Sequence, residues 1–315
     1  MAEEYNHRAH GAHEHRHAGE NESKYQQMFE QYGFHIHDEL VQEDVKKLLE
    51  GHNAGNDTRE VKRFLFGCIE LTSLKVTDSE DSILNLVERV NRFTDANPDF
   101  PHLASVCVYP RFAYVVSNSL EADGVEITAV TGGFPSSQTF PEVKTVETAL
   151  ALKDGATEID CVMPVGYFLA GDYETVSDEI NELKETCGED ITLKVILETG
   201  ALQTAINIKK AALMAIYSGA DFIKTSTGKV EPAATPAAVY VMCRTIKEYY
   251  EKTGNKIGIK VAGGIRTTGQ ALVYYTIIKE VLGKEWLVPA LFRIGASSLA
   301  DNLLSDIMGK TVKMF

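Results

Sequence analysis

At 315 residues, 44% hydrophobic and 24% charged, the chain has the make-up of a globular protein rather than a fibrous or low-complexity one. A formal net charge of −14 argues against a nucleic-acid duplex as partner, while leaving room for a local cationic pocket that takes a small anion. Five single cysteines with no CxxC pair, no apolar run near the ~20 residues of a membrane span and no apolar leader give the expectation of a cytoplasmic protein with no membrane partner.

Residues 1–60 read as an extension, and 61–315 as the catalytic domain. The extension opens on "MAEEYNHRAHGAHEHRHAGENES", too polar to offset its ordering entropy, so disorder is expected there. His7, His10, His13, His15 and His17 lie close together but lack the acidic or cysteine partners that complete a metal site. Short helices follow. "DELVQEDVKKLLEG" predicts one with Asp38 as N-cap and Gly51 as its stop.

After "GHNAGND" the chain alternates between strand-like and helical runs. Eight strands are predicted, starting near Phe66, Leu103, Val125, Glu158, Thr192, Ala220, Lys256 and Leu291. Most are rich in Val and Ile and end in Gly, Pro, Ser or Thr, as buried parallel strands do. The helices between them carry their own punctuation: Ser79 as an N-cap, Val176, Ile180 and Leu183 on one face with Gly188 behind them, and Pro236 just inside a helix start. A strand-helix unit recurring about every 30 residues, eight times over, predicts a (β/α)8 TIM barrel. A doubly wound sheet is the competitor, but the first strand runs into "ELTSLKVTDSED", with no glycine fingerprint.

In such a barrel the chemistry collects at the C-terminal strand ends. Asp160 lies on strand 4, Glu198 ends strand 5, Lys224 lies on strand 6 and Lys260 on strand 7. A charge neutralised in a salt bridge is the ordinary reading of each alone. Two lysines on neighbouring apolar strands are harder to assign to structure. At ~6 Å and an effective dielectric of ~20 they repel by roughly 2.8 kcal/mol, about two pKa units. Repulsion and burial together make a lysine amine neutral and nucleophilic toward carbonyls. Asp160 can keep the second cation in place and relay a proton. The barrel holds no HxxxH-type triad, so neither metal nor cofactor is expected.

The last two loops point to an anion. "VAGGIRT" and "RIGASS" follow strands 7 and 8, where barrels of this kind commonly hold phosphate. Gly263, Gly264 and Gly295 allow backbone N–H groups to come close, Ser297 and Ser298 add hydroxyls at a helix start, and Lys229 adds a cation. The alternative, that the glycines only make tight turns and Lys229 is a solvated surface residue, stands beside this.

"DFIKTSTGK", "GIKVAGGIRT", "GASSL", "LKVILETG" and "EIDCVMPVGYFLAGD" resemble the deoxyribose-phosphate aldolases, class I aldolases on a (β/α)8 barrel, over about Phe66 to Met308. The resemblance implies that Lys224 forms the Schiff base, Lys260 tunes it and Asp160 relays protons, with phosphate contacts at Lys229, Gly263, Gly264, Gly295, Ser297 and Ser298. It implies a phosphosugar and aldehydes as substrates, a role in deoxyribonucleoside catabolism, and a homodimer or higher homo-oligomer. Four places depart from the family pattern, one of them Met163-Pro164 in the loop after Asp160. Glu70 stands where relatives carry aspartate, "TGGFPSSQ" replaces an "NFPxG"-like stretch, and Phe315 cannot supply the hydroxyl of a terminal tyrosine. Two other readings remain: another Schiff-base aldolase or phosphosugar isomerase on the same barrel, or a non-catalytic metal-buffering or oligomer-forming protein. Cys107, near the mouth end of strand 2, is a candidate reactive thiol as well as an ordinary buried one.

Overall fold

The computed structural model describes residues 18–315, with side chains from residue 24, so the histidines between 7 and 17 lie outside the described residues. The N-terminal unit, which ends at Phe34, carries helix α1 (Ala18–Glu30) and an edge-to-face contact between Phe29 and Phe34 with ring centroids 5.8 Å apart.

The second unit begins with α2 (Asp38–His52) and α3 (Arg59–Gly67). Two sequence expectations shift here. Asp38 is the first residue of α2 rather than its cap, because its carboxylate is engaged elsewhere and accepts from Ala205 N at 2.7 Å. Gly51 does not stop the helix, which runs one residue further to His52. Phe66 and Gly67 end α3 instead of opening a strand: the Thr58 hydroxyl accepts from Val61 N and starts a helical turn that carries through them.

The barrel follows as alternating elements: β1 (Ile69–Thr72), α4 (Glu80–Ala96), β2 (Ser105–Val108), α5 (Ala113–Ser119), β3 (Glu126–Thr131), α6 (Pro141–Lys153) and β4 (Glu158–Val162). Then come α7 (Val165–Ala170), α8 (Tyr173–Cys187), β5 (Thr192–Ile196), α9 (Thr199–Leu202), α10 (Ala205–Tyr217) and β6 (Phe222–Lys224). The second half closes with α11 (Pro236–Thr253), β7 (Gly258–Ala262), α12 (Thr268–Leu282), β8 (Phe292–Ala296) and α13 (Leu299–Met308). The strands form a closed parallel barrel in chain order, β8 pairing back to β1, as the (β/α)8 reading expected.

Local chemistry sets the helix ends. Ser79 and Ser82 exchange side-chain and backbone bonds in a capping box on α4, and Thr267 and Gln270 do the same on α12. The Thr235 hydroxyl caps α11 with Pro236 in its first turn, and Gly254 ends that helix with a φ of 76°. Val176, Ile180 and Leu183 of α8 are buried together, as their spacing predicts. Helix α2 lies on α11 and α12. Nearby, Asn56 bonds Thr276 Oγ1 at 2.8 Å and accepts from Lys279 Nζ at 2.7 Å.

Period-2 alternation sorts each strand into two faces. Ile69 and Leu71, Ile159 and Cys161, Leu193 and Val195, and Ile259 and Val261 supply buried apolar side chains alternating with Glu70, Asp160, Lys194 and Lys260. Barrel interiors of this fold are usually packed with branched aliphatics. Here one level of the interior is ionic.

The chain's last residues dock back on α13 and against Phe66 and Phe93. Asp301 Oδ1 accepts from Met314 N at 2.8 Å and Phe315 N at 3.0 Å, and the Phe315 ring lies 5.5 Å from that of Phe93. Among the described residues no helix is long and apolar enough to cross a membrane.

Behind the β3–α6 loop, Lys144 is buried with its Nζ 2.5 Å from Glu179 Oε2 and 2.7 Å from Ser137 Oγ. Removing one partner of a buried pair strands the other charge. Glu179→Ala should therefore lower the unfolding free energy by about 3 kcal/mol in urea titrations. The double variant Lys144→Met/Glu179→Leu should recover most of that loss. Equal loss in both would mean that packing, not charge, holds the site.

Candidate active site

Six barrel strands bring seven charged side chains into one buried network. Asp160 sits at its centre. Its Oδ2 accepts from Lys224 Nζ at 2.7 Å and from Lys260 Nζ at 2.6 Å, while Oδ1 faces Lys194 Nζ at 3.3 Å. Lys260 also donates to Glu70 Oε2. Lys194 donates to Glu158 Oε2 at 2.6 Å, and Arg293 reaches Glu158 Oε1 at 2.8 Å and Glu70 Oε1 at 3.4 Å. Parallel register makes this possible: Asp160 lies beside Lys194, Lys224 beside Lys260, and Lys260 beside Arg293.

The two lysines are therefore not simply opposed like charges, as the sequence alone suggested. A carboxylate oxygen lies between them. Burial works to neutralise Asp160, but Lys224 and Lys260, then Lys194, outweigh it and hold its pKa well below the carboxylate range. Glu70 behaves alike: burial is outweighed by Lys194 and Lys260, and its pKa falls to about 2. Lys260 is the mirror case. Burial opposes its charge, Asp160 and Glu70 overcome burial, and its pKa is raised. Lys260 is held as the ammonium by its two carboxylate partners.

Sequence reasoning passed over Lys194 and Glu158 and placed Arg293 in a loop, although it lies within β8. A signal was available: Glu158 and Asp160, two apart in β4, share one face, and Lys194 pairs with Asp160 across the β4–β5 ladder. Among the described residues Glu198 forms no salt bridge. It lies beyond β5 with a φ of 55°, and its carboxylate accepts from Thr227 N at 3.2 Å and Thr227 Oγ1 at 2.5 Å. Burial raises its pKa against those hydrogen bonds.

Above the network opens a cavity of about 250 Å³ whose lining includes Lys224, Lys229, Gly263, Gly264, Gly295 and Ser297. Six of the proposed residues thus meet around one space. Ser298 does not line it and is instead the residue before α13. Asp160 and Lys260 lie beneath it. Two further cations enter the wall: Lys75 from the loop after β1, and Arg266, which lies within the "VAGGIRT" segment but was not itself singled out. Lys229 is tethered, donating to Leu74 O at 2.6 Å.

Thr225 and Ser226 shape the floor. Both hydroxyls bond Ala262 O, at 3.0 and 2.6 Å, and Thr225 Oγ1 also accepts from Ala262 N at 2.9 Å, so the β6 end is tied to the β7 end. Gly263 has a φ of 99°, and a Cβ there would lie 2.5 Å from that of Ala233. Any side chain would fill the approach to the cavity.

Leu74, Cys107 and Val130 form an apolar cluster, with Tyr109 and Phe134 packed on it. Cys107 is fully buried and burial pushes its thiol pKa up, which is the inert rather than the reactive setting. Ligand atoms of Glu70, Cys107 and Asp160 lie within 4.8 Å of one another, as a metal site would require. Lys260 already holds both carboxylates, so its ammonium is the cation of that cluster.

Residues 71–298 match the model of the DeoC/LacD family aldolase. A protein of Bos taurus named deoxyribose-phosphate aldolase is 42% identical over 250 residues, covering 76% of this chain and 78% of its own. One of the same name from Agrobacterium fabrum is 35% identical over 251 residues, covering 80% and 93%. The structure of deoxyribose phosphate aldolase from Aeropyrum pernix, described as a unique tetramer, superposes with a TM-score of 0.60 at 26% identity over 83% of this chain and 96% of that one. With its closed barrel, its buried lysine pair and this match across the catalytic segments, the chain belongs to the DeoC/LacD family of aldolases.

Proposed function

We propose that this aldolase reversibly cleaves 2-deoxy-D-ribose 5-phosphate into glyceraldehyde 3-phosphate and acetaldehyde, with Lys224 as the Schiff-base residue. The observation that carries the reading is Asp160 Oδ2 shared by Lys224 and Lys260 directly beneath a cavity walled by Lys75, Lys229 and Arg266. Of the four cations in the network, Lys224 alone lines that cavity, which supports it as the amine that meets the substrate's carbonyl carbon.

The free amine of Lys224 adds to C1 of the open-chain sugar, and the carbinolamine loses water to give an iminium. Asp160 and Lys260, which share a proton-bearing contact, pass the protons of these steps. The iminium draws the electrons of the C2–C3 bond as the C3 hydroxyl gives up its proton. Glyceraldehyde 3-phosphate departs and an enamine remains. Protonation of that enamine at carbon and hydrolysis release acetaldehyde and restore Lys224. At the far end of the substrate the phosphate meets the Lys75, Lys229 and Arg266 charges and the backbone of Gly263, Gly264, Gly295 and Ser297. Leu74 lines that cavity too and belongs to the apolar cluster with Cys107 and Val130, which offers a dry wall to the small aldehyde.

Borohydride reduction in the presence of acetaldehyde should trap a covalent adduct on Lys224, located by peptide mass spectrometry and absent from Lys224→Ala. Absence of any adduct at neutral pH would exclude the mechanism. Lys260→Leu should cost at least about 100-fold in kcat, the scale of an acid–base contribution. Ser297→Glu should raise KM for the phosphorylated sugar by roughly tenfold or more with kcat less affected; an unchanged KM would move the phosphate elsewhere.

The network also sets a pH dependence of stability. Because its folded pKa is depressed, Glu70 contributes fully above its ordinary 4.5, and that contribution is lost as pH falls toward about 2. Glu70→Gln should therefore show an acid-side stability slope shallower by one proton, about 1.4 kcal/mol per pH unit, in denaturant titrations from pH 5 to 2. An identical slope would mean that Glu70 is not an ion in the folded protein.

A further inference from the structure

Glu198 is a buried acid, 4% exposed, with no ion pair among the described residues, so hydrogen bonds alone satisfy its carboxylate. Its backbone, at φ 55° and ψ 61°, lies in the left-handed region that a glutamate rarely occupies. The amides on either side stay in register with β6: Leu197 N donates to Lys224 O and Thr199 N to Thr225 O, both at 2.9 Å. One residue is turned aside while the edge of the sheet is kept. Strain of that kind persists where its surroundings require it, and it clusters at functional sites.

The turn serves a relay. Both carboxylate oxygens are taken by Thr227, Oε1 by its N–H at 3.2 Å and Oε2 by its hydroxyl at 2.5 Å. Because the hydroxyl proton goes to Glu198, the Thr227 oxygen is left as an acceptor, and Lys229 N donates to it at 3.1 Å. Gly228 between them has a φ of 75°, and a Cβ there would lie 3.6 Å from Gly263 Cα. Thr227, Gly228 and Lys229 line the anion cavity, whereas Glu198 does not. The far end of the same loop rests on the residues after Glu198, where a Cβ on Gly200 would lie 2.1 Å from Pro232 O. Behind the loop is a cavity of about 420 Å³ whose walls include Thr199, Gly200, Pro232 and Ala233, so a loosened segment has room to move.

We propose that Glu198 is a positioning residue for substrate choice: through the Thr227 hydroxyl, its carboxylate fixes the Gly228–Lys229 wall where a phosphate needs it, and so sets the preference for a phosphorylated over an unphosphorylated substrate. The inference rests on the phosphosugar reading above. An acid is required rather than any polar side chain, since Thr227 presents one donor to each oxygen. A glutamine in the same place accepts from one and turns its NH2 toward the other. Lys229 is also held by Leu74 O, but that bond fixes its ammonium, while the relay from Glu198 fixes its backbone.

Steady-state kinetics on Glu198→Gln, Thr227→Val and the pair, with circular dichroism as a check on folding, test this. Borohydride trapping with acetaldehyde, which carries no phosphate, is the companion measurement. KM for the phosphorylated sugar should rise roughly tenfold in each single variant, the scale of one lost hydrogen bond to a charged group. In Glu198→Gln the acetaldehyde concentration for half-maximal trapping on Lys224 should not change. The double variant should be no worse than either single one, because both break the same relay. Thr227→Ser, which keeps the hydroxyl, should recover most of the loss seen in Thr227→Val. An unmoved KM in Glu198→Gln overturns the proposal while leaving the aldolase reading intact. So do additive losses in the double variant, or a matching loss in acetaldehyde trapping, which would put Glu198 at the Schiff-base end or in the fold at large. A wild-type protein that traps no acetaldehyde fails the Schiff-base reading itself, and this inference falls with it.

Discussion

One oxygen of Asp160 takes hydrogen bonds from two lysines, and much of the barrel's interior follows from satisfying that arrangement without water. A single carboxylate between two ammonium groups leaves an excess positive charge in a fully buried place. Glu70 absorbs it on the Lys260 side, and Glu158 does so for Lys194 and Arg293. Each addition demands a strand in register: β4 for two of the acids, β1 for the third, and β5 to β8 for the cations. Ion pairs of this kind return little net stability once desolvation is counted. What they contribute is position, because a side chain with two or three charged partners has nowhere else to point.

The balance of the network bears on the chemistry. Three carboxylates face four cations, Lys194, Lys224, Lys260 and Arg293. The unmatched charge lies beside the cavity, because Lys224 is the member of the network that lines it. A simple picture of two lysines repelling each other leaves open which of the two is held as the cation. Asp160 and Glu70 around it hold Lys260 as the ammonium, and in the proposed reaction it stands as the acid on the strand next to the Lys224 nucleophile.

The barrel was legible because eight apolar runs with polar ends recur at one spacing, and the motif lysines fall at strand ends. Less legible were features that depend on distant residues. Asp38 has the chemistry of a helix cap, yet its carboxylate serves Ala205, far along the chain. Lys75 and Arg266 line the anion cavity from loops whose residues have no period to betray them. Glu158 and Lys194 were visible as charges in apolar strands, but their meaning lay in a cross-barrel contact with Arg293 and Glu70 that no local pattern encodes. Lys229 keeps its place at the cavity, although its contact with Leu74 O ties the anion wall to the loop after β1.

Glu70 shows how one departure from a family pattern is accommodated. An acid one methylene longer than aspartate must reach Lys260 and still face Lys194 and Arg293. Its neighbour in the β1–β8 ladder is Gly295. A Cβ at Gly295 would lie 3.1 Å from Lys260 Cε and 2.9 Å from the Ala262 Cβ, so the missing side chain is what lets the Lys260 stem pass beneath the cavity. The glycine that the anion site uses for its backbone is thus also the space through which Lys260 reaches Glu70 and Asp160. In the proposed reaction, phosphate recognition and the proton-handling pair share this residue, and enlarging it would disturb both ends of the substrate at once.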